Sequence, residues 1–370
     1  MPIEELAVTN YRSIKSLRVP LGQMTVVVGA NGTGKTNLYR SMVLLAAAAR
    51  GRLARTLLQE GGMPSVLFAG QRARLTRRKR EPVRMRLEIA MAPVHYAIEL
   101  GLPQVPPKSA FHLDPEVKFE EAWTREGPRK VVLAERKALT AWLRDHEGHR
   151  EVYPTQLDPA ESVLSQLKDP RRYPVLHALR GEFSAWRFYH HFPTHLQAPV
   201  RQRQHGVRTT VLSPDGSDLA AALRTIHEIG MSEDFDDAVD HAFPGASLQV
   251  TFDDSTLFEI AMRMPGVLRP LTARELSDGT LRYLCLLAVL LSPRPPAFLA
   301  LNEPETSLHA DLMEPLGAQI ARAARASQIL VCTHSERLAE AICAGTNTTV
   351  ITLERLAGET EGSVEQRQRS

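Results

Sequence analysis

"GANGTGKT", residues 29–36, decides how the rest of the chain is read. It fits G-x-x-x-x-G-K-[ST], a loop whose glycines let backbone N–H groups turn toward phosphate oxygens. Gly29, Gly32 and Gly34 supply the turns, and Ala30, Asn31, Thr33 and Asn37 complete the cradle. Lys35 brings a positive charge to the β- and γ-phosphates, and the Thr36 hydroxyl is a Mg²⁺ ligand in such loops. The flanks agree. "MTVVV" (24–28) is a β-branched strand, and "KTNLYRSMVLLAAAA" (35–49) is a helix whose positive end faces the same loop. The reading is an α/β protein that binds a nucleoside triphosphate with Mg²⁺; the loop alone does not separate kinases, GTPases and ATPases.

Further along, "FLALNEPE" (298–305) is an apolar run that stops at Asn302 and Glu303. Such a run is a buried strand delivering polar groups at its carboxyl end. Many nucleotide hydrolases place an aspartate there to help hold Mg²⁺. Asparagine keeps the size and one carbonyl oxygen but not the charge. The expectation is weaker metal binding, through a water, with chemistry retained. "QILVCTHS" (328–335) is another strand, ending near His334, and "ELSDGTLRYLCLLAVLLS" (275–292) is a helix apolar nearly all round, which Ser277 can cap.

The order of "NYRSIKSLRVPL" (10–21), the phosphate loop, "LSDGT" (276–280), "LNEPE" (301–305) and "CTHS" (332–335) resembles the ABC-type ATPases, in the branch containing RecF, the SMC proteins and the OLD-type ATPases. That resemblance implies a P-loop head with a mixed sheet and a dimer closed around ATP. Glu303 falls on the family's catalytic glutamate and His334 on its switch histidine, with Lys35 completing the catalytic set. Ser277 and Gly279 fall on the signature motif, which meets the γ-phosphate of a second subunit. Arg12 is placed near the phosphates, and Gln71 is a candidate for the glutamine that senses Mg²⁺. The implied process is DNA repair and maintenance or antiphage defence. A non-catalytic, nucleotide-gated scaffold that recruits an effector protein is the alternative, and a transport ATPase subunit is disfavoured by the long separation of Lys35 from Ser277.

Around these motifs the chain divides into an ATPase lobe (1–107), a partly helical insertion in place of a coiled coil (108–198), a second ATPase lobe (199–357) and a disordered tail (358–370). Residues 84–100 alternate as a hairpin, and "PQVPPKS" (103–109) reads as a linker. "ERKALTAWLRDH" (135–146) is the clearest amphipathic helix of the insertion. A helix within 211–230 is expected to be capped by Asp215 or Ser217 and ended by Gly230.

Composition narrows the class. With 43% hydrophobic and 24% charged residues the chain is ordinary for a globular protein. Cys285, Cys332 and Cys343 make no pattern, which suits a reducing cytoplasm, and neither a signal peptide nor a membrane span is evident. Between Arg72 and Arg86, eight basic residues face only Glu81, so this window holds 8 − 1 = +7 and the remainder of the +3 chain sums to −4. Such a run is a solvated loop or a surface for double-stranded DNA, since phosphates are neutralised without sequence readout. No aromatic residue interleaves it, so single-strand stacking is not indicated. His191 and His195 are separated by Pro193, which breaks the helix that a paired metal site would need.

Overall fold

The computed structural model describes residues 1–70, 83–104, 109–154, 156–167, 169–229, 232–252 and 256–369. Gln71, most of the Arg72–Arg86 run, part of "PQVPPKS" and Gly230 therefore lie outside the described residues. The chain forms two compact units, the first from residues 1–22, 29–186 and 351–365, the second from 23–28, 187–350 and 366–370.

The first unit is built on an eight-stranded antiparallel sheet. In spatial order its strands are Ile14–Pro20, Ile3–Tyr11, Met85–Met91, Val94–Gly101, Glu116–Glu126, Arg129–Lys137, Thr140–Arg144 and Arg150–Val152. Met85–Met91 shows why. Met85, Leu87, Ile89 and Met91 alternate with Arg86, Glu88 and Ala90, so one face is buried and the other carries charge. The helix Lys35–Ala49 ends in buried alanines, whose small side chains admit the helix Pro174–Ala185 against it. Phe183 and Trp186, which as sequence could be surface or core, are core.

Residues 135–146 are not a helix. They form the hairpin between Arg129–Lys137 and Thr140–Arg144, with Ala134 opposite Leu143 and Glu135 opposite Trp142. Ala134, Arg136, Ala141 and Leu143 point inward with period two. The fully buried Arg136 conceals that alternation in the sequence. Its guanidinium donates to the carbonyls of Ala138, Glu161 and Asp158, so the buried charge has hydrogen-bond partners. The expected insertion thus does not stand apart, because its strands extend the sheet of the first unit.

In the second unit four parallel strands lie in the order Arg187–Tyr189, Phe298–Asn302, Gln328–Thr333 and Met24–Val28. Phe298–Asn302 and Gln328–Thr333 are buried along their whole length, as expected of strands covered on both faces. The buried helix Asp278–Leu290 and the helices Met313–Ala323 and Glu336–Gly345 pack here. Ala341 approaches Gly317 so closely that an added Cβ would stand 2.5 Å from its methyl carbon. A smaller antiparallel sheet joins Gln204–His205, Leu257–Arg263 and Ser247–Phe252, with Leu271–Thr272 on the middle strand. Parallel and antiparallel strands together make the mixed α/β architecture expected from the sequence.

Two further expectations are corrected. The helix Leu219–Glu228 has Asp218, not Asp215 or Ser217, at its N-cap position; Asp215 instead accepts from the Ser217 amide. Of the expected disordered tail (358–370), Glu359–Arg367 is instead a strand next to Thr348–Leu356. Polar composition misled there, because a strand at a sheet margin is held by backbone pairing and needs few apolar side chains. Among the described residues the longest helix is Lys35–Ala49, and none extends as a coiled coil.

Candidate nucleotide site

In the first unit the phosphate loop joins directly to the helix Lys35–Ala49. Gly34 is its N-cap in the left-handed region at φ 110°, and an added Cβ would stand 2.5 Å from Thr360 Oγ1, so only glycine fits. The crest at Ala30, Asn31 and Gly32 is exposed, whereas Thr33 and Lys35 are buried and Thr36 and Asn37 half-buried. Lys35 Nζ donates to the carbonyls of Gly29 and Ala30 at 2.6 and 3.0 Å, and Thr33 Oγ1 donates to Ala30 at 2.9 Å. The loop is therefore braced from inside while its outer amides face solvent.

A chain of side-chain bonds ties this loop down. Asn37 Nδ2 donates to Ser13 Oγ (2.9 Å), Ser13 Oγ and Thr360 Oγ1 are 2.7 Å apart, and Thr360 Oγ1 donates to the Thr33 carbonyl (2.8 Å). Each hydroxyl can donate once and accept once along that path. Arg12, expected near the phosphates, has its guanidinium on Glu60 at 2.8 Å; Arg40 and the Tyr11 hydroxyl share the same carboxylate. Burial and then the Glu60 charge raise the Tyr11 pKa. It is Ser13, one residue on, that reaches Asn37. Of the basic run, Arg84 and Arg86 are described, and both pair with Glu99, with Arg86 also on Glu88.

The second unit holds the other candidates at the carboxyl ends of its parallel strands. Asn302 lies opposite Cys332, and Thr333 opposite Val28, the residue just before the phosphate loop. Three strand ends are thus in register, and the loop begins one residue beyond one of them. This is where open α/β sheets bind ligands. Glu303 takes φ 50°, a left-handed conformation that costs a non-glycine residue about 1 kcal/mol, while its amide donates to the Cys332 carbonyl at 2.7 Å. The turn releases its side chain from the strand's alternation. No sequence signal marked Glu305, yet it organises the neighbourhood. Its Oε1 accepts from Thr333 Oγ1 (2.5 Å) and the His334 amide (2.9 Å), and lies 3.1 Å from His334 Nδ1.

Ser277 caps the buried helix, accepting from the Thr280 amide at 3.1 Å, and is exposed. A Cβ on Gly279 would meet the Ser307 carbonyl at 2.9 Å, so the start of this helix rests on the turn after Glu303. Arg201, also missed in the sequence, is buried and clamps the approach to this helix. It donates to the carbonyls of Thr194, Ala273 and Leu276 and to Asp278 Oδ1 at 2.6 Å. That pairing lowers the Asp278 pKa. Beside Asn302 and Glu303 a small open cleft is lined by His190, His191, Arg282 and Thr306 among others. Desolvation, then the charge of Arg282, lower the pKa of His191.

Each unit, taken by itself, holds groups that suit a Mg²⁺–nucleotide. Asn302 is 1% exposed, and its Oδ1 is a buried acceptor with no partner among the described residues. Thr36 offers a hydroxyl at the helix start, and magnesium keeps several of its waters. The trio Asp145, Glu147 and His149 at a hairpin tip, half-buried at Asp145 and exposed at the other two, is too open to argue for a metal.

Comparison with known proteins bears on the fold. Residues 1–76 match a family described as "AAA ATPase domain", and residues 185–340 one described as "AAA domain, putative AbiEii toxin, Type IV TA system". Among solved structures, an SmcHead bound to the C-winged helix domain of ScpA is similar over 99% of this chain and 98% of its own, with TM-score 0.55 and 16% identity. The Smc head domain with an extended coiled coil from Pyrococcus furiosus, bound to the C-terminal domain of ScpA, gives 0.53 and 13% over 98% and 96%. That of Pyrococcus yayanosii, with a coiled coil and joint, gives 0.52 and 11% over 98% and 96%. No curated protein matches the sequence. No helix among the described residues is long and apolar enough to cross a membrane.

Proposed function

We propose that this chain is an ABC-type, SMC-like ATPase head that binds ATP on residues 29–37 and hydrolyses it with Glu303 as the residue that orients the attacking water. The observation that carries the reading is the register of the strand ends. It sets Asn302 opposite Cys332 and Thr333 opposite Val28, the residue that precedes the phosphate loop in the chain. Phosphoryl transfer asks mainly for positioning and charge stabilisation, and the residues divide those tasks. Lys35 and the loop amides hold the β- and γ-phosphates. Thr36 and, through a water, Asn302 would hold Mg²⁺, which would supply positive charge against the phosphates. His334, steadied by Glu305, faces the γ-phosphate.

In the same reading Ser277 and Gly279, at an exposed helix start, bind the γ-phosphate held by a second copy, giving a head-to-tail homodimer that ATP closes and hydrolysis opens. Work on DNA or in antiphage defence, with an effector partner, is the process we infer. It draws on the SMC-like fold and on the toxin–antitoxin wording of one matching family. The Arg72–Arg86 run is the surface we assign to duplex DNA.

The test is steady-state ATP turnover with Mg²⁺, with and without duplex DNA, for the wild-type chain beside Glu303→Gln. Loss of about 10²-fold or more in the variant, with ATP still bound, supports the assignment. Equal turnover in both would refute it, and ATP binding without turnover in either would favour a nucleotide-gated scaffold.

A further inference from the structure

We propose that His190 fixes the orientation of the Asn302 amide, and that this pairing is what lets an asparagine serve where a carboxylate is usual. The proposal rests on the ATPase reading above and names a positioning residue for its metal site.

Asn302 ends the strand Phe298–Asn302, and Arg187–Tyr189 lies parallel beside it with Tyr189 opposite Leu301. The next residue along, His190, is thereby brought level with Asn302, and its Nδ1 stands 2.8 Å from Asn302 Nδ2. An amide nitrogen only donates, so the ring nitrogen accepts and the imidazole proton sits on Nε2. The amide oxygen is then turned the other way, where it is buried and without a partner among the described residues.

A carboxylate needs no such guide, because both of its oxygens accept and a half-turn exchanges equivalent atoms. An amide presents one acceptor and two donors, and the same half-turn would aim N–H groups at the place where a metal-bound water must donate. Something has to choose. His190 does so by accepting, and its own exposure shows that it is not there to fill the core. The supporting partners of metal-site groups typically matter by 10–100-fold in affinity.

The experiment measures Mn²⁺ binding to the full chain at saturating ATP by electron paramagnetic resonance, in the Glu303→Gln background to prevent turnover. It compares His190 with His190→Leu and His190→Asn, each also combined with Asn302→Asp. Asparagine at 190 returns an acceptor oxygen near the position of Nδ1, whereas leucine has none. Expected are a loss of about tenfold or more in Mn²⁺ affinity for His190→Leu and recovery for His190→Asn. With Asn302→Asp in place, His190→Leu should change little. Wild-type affinity in His190→Leu overturns the proposal, as does an equal loss with leucine, with asparagine and beside Asn302→Asp. If Glu303→Gln with His190 intact takes up no Mn²⁺ with ATP, the nucleotide reading falls and this proposal with it; intact binding with indifference at position 190 removes this proposal alone.

Discussion

Thr360 Oγ1 donates to the carbonyl of Thr33 at 2.8 Å, which fastens the strand Glu359–Arg367 to the phosphate loop. Thr360 is 2% exposed, and the same hydroxyl meets Ser13. A stretch that looks solvated by composition is thus part of the floor beneath the candidate nucleotide site.

Replacing that hydroxyl should loosen the loop without unfolding the unit. Thr360→Val keeps the shape but leaves the Thr33 carbonyl unpaired, at a cost of about 1–2 kcal/mol. If that cost falls on the nucleotide-binding form, the KM for ATP rises by about tenfold while kcat changes little. Thr360→Ser should restore most of the affinity. Steady-state kinetics of the three proteins, with melting temperatures alongside, decides the matter, and an unchanged KM in Thr360→Val would show that the loop is held adequately by its own bonds.

Gly279 has no room for a side chain. Gly279→Ala sets a methyl 2.9 Å from the Ser307 carbonyl, and relief requires a backbone shift where the helix begins. A stability loss of about 1–3 kcal/mol in urea unfolding is expected. So is loss of the ATP-dependent dimer, read by light scattering with Glu303→Gln present. A dimer of undiminished affinity would separate the signature region from assembly.

The Arg201–Asp278 pair predicts a pH dependence whose sign follows from linkage. Asp278 has a lowered pKa in the folded chain, chiefly from its bond to Arg201. Its contribution is therefore present above the ordinary carboxylate range and is lost as pH falls through the depressed value. Between neutral pH and about pH 3, Asp278→Asn should show a shallower decline in stability than the wild-type chain. Because Asp278 is largely exposed, the effect is small, and chemical denaturation at several pH values will resolve it as a difference of slope.

Arg136 carries the largest structural prediction. It is fully buried, it donates to three carbonyls, and Glu120 lies 3.8 Å from its guanidinium. Arg136→Met leaves those carbonyls unpaired and removes the cation beside Glu120, which keeps its bonds from Tyr96, Ser162 and Val163, so a loss of about 3–5 kcal/mol is expected. The paired change with Glu120→Gln should cost less than the sum. Guanidinium denaturation of the single and double variants tests both statements.

What the sequence determined by itself were the features whose physics is local. A phosphate loop needs consecutive glycines, a lysine and a helix start, all within residues 29–49. A buried parallel strand is an apolar run, and a helix sunk in the core is apolar on every side, so Met24–Val28, Phe298–Asn302 and Asp278–Leu290 were legible. What only the tertiary structure decided were contacts between residues far apart in the chain. Thr360 meets Thr33 across 327 positions and His190 meets Asn302 across 112, and no periodicity records such a pairing. Arg136 defeated the pattern altogether. A guanidinium can lie on the inward face of a strand only when distant carbonyls are already placed to receive it, and their placement is a property of the fold.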